Sequence, residues 1–243
     1  MIQAGQKGDI MSLFDNTQTN GVYSSDGVYH DAMSEVIPRR TFNMIMGGTL
    51  GYGILLNILM CKYCVQFALS LNPMILIIGY LILGFAGTQI ARRSDNPVFS
   101  FLGYNMLVVP FGLVLSIVIK SYGGIDADVV THAFVITLEI TALMAVLAVL
   151  MPEFMEKLSG FLTISLLSLL VVYIIEALLG RASILVSYIS AAIFSLYIGY
   201  DIHKAQSAPS TVDSAIDQAL NVYLDVINLF MHILRISGSK KRR

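Results

Sequence analysis

The sequence predicts an all-α integral membrane protein, a bundle of seven helices with the last helix at its centre. Only 13% of the 243 residues are charged and 56% are hydrophobic, whereas an average soluble domain has about 25% charged residues. Seven stretches are long enough for the roughly 20 helical residues that cross a hydrocarbon layer of ~30 Å. Because the connections between them are short, consecutive helices are expected to be antiparallel neighbours.

Six apolar stretches come first along the chain. We place them at 41–60, 73–91, 97–119, 129–151, 159–179 and 183–201. A polar N-terminal tail, residues 1–38, precedes them and is predicted to be disordered because it shows little apolar periodicity. The transmembrane domain then extends over 39–236, and a basic tail, 237–243, follows it.

The seventh stretch, 214–235, differs from the other six because it carries one narrow polar stripe. Its polar residues recur every three or four positions, so they share one face of a helix. They are Ser214, Asp217, Gln218, Asn221, Asp225, Asn228 and His232. Polar groups left in hydrocarbon are costly, so a bundle that surrounds this helix should direct the stripe at a shared cavity.

The basic residues do not agree on one orientation. If the N-terminal tail is inside, the inner loops contain Arg39, Arg40, Arg92, Arg93, Lys157 and Lys204, and the outer loops contain Lys62, Lys120 and Arg181. That is six basic residues inside and three outside. A complete seventh crossing places five more outside, which makes eight: Arg235, Lys240, Lys241, Arg242 and Arg243. An incomplete crossing keeps these five residues inside and gives eleven basic residues inside and three outside, the arrangement that the positive-inside rule favours. The side of the C-terminus stays open at this stage.

Two aspartates lie where ion or proton chemistry is expected. Asp201 is at the end of the sixth stretch, and Asp225 is about two turns into the seventh. On adjacent antiparallel helices the two carboxyl groups can face each other. Two close carboxylates in a low dielectric cannot both ionise cheaply, so they would share a proton and either bind a cation or act as a pH switch. The alternative is two unrelated aspartates, with Asp225 satisfied by neighbouring amides.

Other polar residues of the stretches are candidates for the same cavity. Asn221 and Asn228 lie on the stripe with Asp225 and are expected to line it. Glu139, in the middle of the fourth stretch, either lines the cavity or stays protonated and bonded to Thr137 or Thr141. Carboxylate and amide oxygens are the ligands that calcium prefers.

The residues around the two aspartates resemble the transmembrane Bax inhibitor motif family, also called Bax inhibitor-1-like. The resemblance rests on Tyr200-Asp201, followed 24 residues after Asp201 by the Asp225 of Tyr223-Leu-Asp225-Val-Ile-Asn228-Leu-Phe, and then by Ile233-Leu-Arg235. It implies three antiparallel helix pairs around a central seventh helix. It also implies a pH-sensitive calcium leak, in which Asp201 and Asp225 sense protons and hold calcium transiently.

The same resemblance implies an arginine latch from the second helix, which maps onto Arg92 or Arg93. The chain departs from the family beside the first aspartate, where Ile202 and His203 replace a threonine and a glutamine. Hydrogen bonding around Asp201 is therefore expected to differ, and His203 could add a titration of its own.

The predicted function is a pH-sensitive calcium or cation leak channel, with calcium as the permeant ion and without a cofactor or enzymatic activity. An intramembrane aspartyl protease also uses two aspartates, but its GxGD and PAL motifs do not occur in this sequence. The alternative is a membrane-embedded modulator of another protein complex, such as a membrane protease or a stress or cell-death regulator, without flux of its own. The expected surroundings are the lipid bilayer of a bacterial plasma membrane rather than the endoplasmic reticulum, with calcium, protons and membrane proteins as partners. A net charge of −1 indicates no nucleic-acid binding.

Overall fold

The computed structural model describes residues 35–180 and 183–240, and within them the chain forms nine helices and no strand. The predicted tail 1–38 therefore lies outside the described residues except for 35–38, as do residues 241–243 of the basic tail. The helices are α1 (Arg39–Tyr63), α2 (Val65–Ser70), α3 (Pro73–Arg93), α4 (Pro97–Ser121), α5 (Asp128–Leu150), α6 (Pro152–Lys157), α7 (Ser159–Leu179), α8 (Ile184–Ser207) and α9 (Val212–Lys240).

The seven long helices of the described part correspond to the seven predicted stretches, so the predicted fold class is confirmed. Two of them begin at an Asn-Pro pair, because asparagine caps a helix and proline suits its first position. The side chain of Asn72 accepts from the Met74 N–H at 2.9 Å, and that of Asn96 accepts from the Val98 N–H at 2.9 Å. The short helices α2 and α6 occupy connections that the sequence had suggested were loops.

The connection between α8 and α9 is shorter than predicted. Helix α8 continues to Ser207 instead of ending at Asp201, and residues 208–211 alone join it to α9. Pro209 follows directly after the capping residue Ala208, where proline commonly stops a helix. Because α9 already begins at Val212, Asp225 is thirteen residues further on, between three and four turns into the helix rather than two.

Helix α9 is the centre of the bundle. Of its most apolar stretch 67% is buried, against at most 50% in any other membrane-spanning helix of the described part. It packs against α1, α3, α4, α5 and α8, and Leu220, Tyr223 and Leu229 on it are completely buried.

The position of the C-terminal end of α9 shows whether this helix crosses the membrane completely. A Cβ added to Gly238 would meet the ring of Tyr122, which follows the last residue of α4. The ring therefore lies against α9 at the end of the bundle opposite the start of α4. Helix α9 thus crosses completely, and its C-terminal end lies on the membrane face opposite the start of α1.

A close contact between α3 and α4 determines where the last turn of α3 lies. A Cβ on Gly87 would collide with the backbone oxygen of Gly103, and a Cβ on Gly103 would collide with that of Gly87. Glycine at both positions lets the two backbones approach, as small residues do between membrane helices. The end of α3, which carries Arg92 and Arg93, is thereby held beside the start of α4.

Candidate functional site

The structure brings Asp201 of α8 and Asp225 of α9 into direct contact. Their carboxyl groups approach each other closely enough to interact directly. An ionised carboxylate can only accept hydrogen bonds, so a bond between two carboxyl groups requires one proton between them. Asp225 is 8% exposed, and its Oδ2 has no partner among the described residues. In this geometry Asp225 is buried and Asp201 is partly exposed, so the contact between the two carboxyl groups lies at the edge of the buried core.

The groups around the pair are cationic on one side. The charges of Lys204 and Arg92 act on Asp201, and the Lys204 ammonium lies 6.0 Å from the ring centroid of Tyr200. His203 has its Nε2 3.7 Å from Glu156 Oε1 on α6. The histidine that replaces a family glutamine thus takes part in a contact with α6.

Arg92, rather than Arg93, reaches the polar stripe. Its Nη2 donates to Asn221 Oδ1 at 3.0 Å, and its charge also acts on Asp217. Within the described ranges Arg92 makes no ion pair shorter than 4.0 Å with a carboxylate, and Arg93 makes neither a hydrogen bond nor an ion pair. The sequence did not distinguish Arg92 from Arg93 as the arginine near the stripe. In the structure Arg92 is the one that contacts an amide of the stripe.

The part of the stripe that follows Asp225 faces a cavity of about 740 Å³. Along α9 this cavity and Arg92 therefore lie on opposite sides of the aspartate pair. Asn228 and His232 line it, together with Tyr80, Tyr122, Tyr173, Glu176 and Arg235. The Asn228 Nδ2 donates to the Leu224 carbonyl at 2.8 Å, which leaves its Oδ1 free to accept. At the outer end, Arg235 Nη1 lies 3.9 Å from Glu176 Oε2.

A chain of hydrogen bonds determines the tautomer of His232. Ser190 donates its only hydroxyl proton to the Val186 carbonyl at 2.7 Å, so it accepts from the Tyr173 hydroxyl at 2.6 Å. The Tyr173 oxygen must then accept from His232 Nε2, which is 2.9 Å away. Neutral His232 therefore carries its proton on Nε2 and keeps Nδ1 as its basic atom.

The polar residues of α9 extend almost across the membrane. From Asp217 to Arg235 is eighteen residues, or about 27 Å at 1.5 Å per residue, close to the ~30 Å thickness of the hydrocarbon layer. The sequence reading did not include Tyr173, Glu176 or Arg235 in the site. The sequence did contain a signal for two of them. Glu176 lies near the end of α7 and Arg235 near the end of α9, and both helices end at the same membrane face, so an ion pair could have been predicted.

The structure corrects the expectation that Glu139 lines the cavity. Helix α5 packs into the bundle through Ala133, Thr137, Met144 and Ala148, which share one face. Glu139 is two residues beyond Thr137, so it points about 200° away and is exposed on the outside of α5. The Thr137 hydroxyl donates to the Ala133 carbonyl at 2.7 Å.

Comparison with known proteins agrees with this architecture. The model of the family described as "Inhibitor of apoptosis-promoting Bax1" matches residues 34–242. The chain belongs to the Bax inhibitor family. An uncharacterized protein of Helicobacter pylori J99 is 26% identical over 238 residues, 94% of this chain and 97% of its own. An uncharacterized membrane protein of Streptococcus pyogenes serotype M1 is 30% identical over 167 residues, 65% of this chain and 70% of its own. An uncharacterized protein of Deinococcus radiodurans is 27% identical over 176 residues, 68% and 74% of the two chains.

Proposed function

We propose that this Bax inhibitor family member is a pH-sensitive cation leak channel, with calcium as its permeant ion and the polar stripe of α9 as its path. The observation that carries the proposal is the close approach of the Asp201 and Asp225 carboxyl groups on the polar stripe, with Asp225 buried. On one side of the pair Arg92 holds the stripe at Asn221, and on the other side Asn228 leads into the 740 Å³ cavity.

The pair couples proton loss to cation binding through its charge. With one shared proton the two carboxyl groups carry a net charge of −1, which a nearby arginine can neutralise. Without that proton they carry −2, a charge that attracts a divalent cation. Two carboxylates and the stripe amides are oxygen ligands of the kind calcium binds. They are fewer than the six to eight ligands of a high-affinity site, so calcium would be held briefly and released.

Arg92 acts as the latch of the closed state in this proposal. Its bond to Asn221 ties the last turn of α3 to the stripe, and its charge offsets the negative charge of the pair. Asp225 is buried while this bond is made, so a cation cannot reach it. Release of Arg92 would open the stripe on the membrane face where α1 begins.

The test is calcium flux through liposomes that contain the purified full-length protein, measured from about pH 5 to pH 8, the range in which a proton switch near neutrality responds. Flux should depend on pH, and Asp225→Asn should remove most of that dependence. Glu139→Gln is the matched control, because it changes an acid that lies outside the path. No flux above that of empty liposomes would contradict the proposal and favour a modulator of another membrane protein complex.

We further infer that the chain is not an enzyme and that it resides in a bacterial plasma membrane, the latter because the relatives above are bacterial. A peptide substrate added to the same liposomes should stay intact. Cleavage that Asp201→Asn and Asp225→Asn both abolish would contradict the first inference, since it would indicate an aspartyl protease.

A further inference from the structure

A second cavity lies behind the aspartate pair, between α1 and α5. Both helices pack against α9, and within the described part of the chain they make few or no contacts with each other. The gap between them is a cavity of about 260 Å³, closed at its base by α4 and α9. Residues from the two walls and the base include Ile54, Ile58, Phe134, Leu138, Ile227 and Phe230.

The mouth of this cavity opens toward the hydrocarbon of the bilayer. Thr131 and Leu138 line the cavity and are exposed on the outside of α5, with Leu138 42% exposed. Leu138 lies ten residues into α5, or about 15 Å from its start. The opening therefore extends into the membrane interior, where lipid chains and not water surround the protein.

The contents of the cavity follow from its lining and its position. Apart from Asn57, Thr131 and Thr137 the lining is apolar. An apolar cavity does not hold water well, and one of about 150 Å³ is already known to stay dry and to bind benzene or xenon. An empty gap of this size would cost its lining atoms their van der Waals contacts. We propose that the acyl chain of a bilayer lipid enters between α1 and α5 and fills this cavity.

An acyl chain at this place touches the back of the segment that carries the aspartate. Val226 and Ile227 in the base of the cavity directly follow Asp225. Asn57 of α1 also lines the cavity, and its Nδ2 donates to the hydroxyl of Tyr223, two residues before Asp225. This further step rests on the proposed function: a chain in the cavity supports α9 in the closed position, so flux depends on the lipid chains present.

A second groove provides a matched control. It lies between α7 and α8, has a volume of about 280 Å³ and is lined by residues such as Ile164, Ser168 and Ile189. No α9 residue is among those that line it. Ser168, like Thr131 in the first cavity, is an exposed residue with a small hydroxyl side chain. Thr131→Phe and Ser168→Phe therefore fill one opening each with the same added ring and leave the buried core unchanged.

The experiment uses the full-length protein in vesicles that contain a phosphatidylcholine with a photoactivatable group near the end of one acyl chain. After illumination the labelled peptides are identified by mass spectrometry. The wild type should be labelled on the cavity-lining parts of α1, α5 and α9. Thr131→Phe should lose this labelling and keep labelling in the α7–α8 groove, whereas Ser168→Phe should show the reverse loss.

Two outcomes overturn the binding proposal: no labelling of the α1, α5 and α9 peptides, or labelling that Thr131→Phe leaves unchanged. Because this readout requires no ion flux, it stands whether or not the channel proposal survives. If Thr131→Phe does not fold, as shown by lost labelling of the α7–α8 groove, Ile58→Phe fills the same cavity from the α1 wall. In flux measurements the wild type and Ser168→Phe should respond to acyl-chain length, and Thr131→Phe should not. A response kept by Thr131→Phe would overturn the regulatory step alone.

Discussion

Replacing Arg92 with glutamine should weaken the contact that ties the last turn of α3 to the polar stripe of α9. A hydrogen bond from a charged donor contributes about 1.5–3 kcal/mol when it is protected from water. Arg92 is exposed and bonds to an amide at 3.0 Å, so a value near 1 kcal/mol is appropriate, as for other solvent-screened contacts. Loss of about 1 kcal/mol changes the ratio of closed to open protein by roughly fivefold.

The substitution also removes a positive charge whose field acts on Asp201. Without that charge the shared proton is lost less readily, so the midpoint of the curve of flux against pH should move to higher pH. This sign holds whether flux rises or falls with pH, because it concerns only the pH at which the pair changes its charge.

The assay is calcium flux from liposomes across the same pH range, with Arg93→Gln as the control. Arg93 is the next residue on α3 and has the same charge, but it makes no contact with the stripe within the described part. Its substitution should leave the midpoint unchanged. Equal shifts in both variants would mean that the general surface charge matters, and the latch would be refuted. Unchanged midpoints in both would refute it as well.

Three further outcomes are expected. Asp201→Asn and Asp225→Asn should each remove most of the pH dependence of flux. Because the two groups act as one unit, the effect of the double variant should exceed that of either single variant by less than about 0.5 kcal/mol. Additive effects of the two substitutions would contradict the shared proton. Glu139→Leu should leave the flux curve unchanged and should not lower the melting temperature, because it removes an exposed carboxyl from the hydrocarbon-facing surface of α5; a lost pH response would restore Glu139 to the path. In a variant without native cysteines, Glu35→Cys and Ser239→Cys should react with an impermeant maleimide from opposite sides of sealed vesicles, since α9 crosses completely. Labelling from the same side would disprove the complete crossing.

The length and hydrophobicity of the apolar stretches, with the polar stripe of the seventh, were sufficient to predict the seven membrane helices. The one substantial error in the bounds came from reading the polar run from Asp201 to Lys204 as the end of α8. The helix continues through this run to Ser207, and Pro209 is the stop signal. Arg39 also donates to the carbonyls of Ala205 and Ala208 at 3.2 and 2.8 Å, which holds the last turn of α8. These two contacts join residues 166 and 169 positions apart in the sequence, so no local pattern reveals them.

The approach of Asp201 to Asp225 could be anticipated because a short connection makes their two helices antiparallel neighbours, although Asp225 lies deeper in α9 than predicted. The contact of Arg92 with Asn221 could not be anticipated, since Arg92 and Arg93 differ by 100° around α3 and the packing of α3 against α4 at Gly87 and Gly103 helps to determine which of them faces α9. Glu139 was misplaced for a related reason. Helix α5 is apolar on all sides, so its sequence shows no preferred face. The side that packs against α8 and α9 is determined by shape, which the sequence pattern alone does not contain.

The packing of α9 also limits how a change of charge at the pair can be transmitted. Tyr223, Leu229 and Leu234 are completely buried on its apolar sides, so a displacement of α9 would disturb contacts with several helices at once. Along the stripe the packing is looser, because Asn221, Asn228 and His232 are only half-buried and a cavity lies beside Asn228 and His232. When the pair gains a second negative charge, the side chains that face the stripe can therefore move more easily than α9 itself. Arg92 lies at one end of this row of side chains and Arg235 at the other. In the proposed channel α9 would keep its place while the side chains around it rearrange, so that one helix would form both the core of the bundle and the path of the ion.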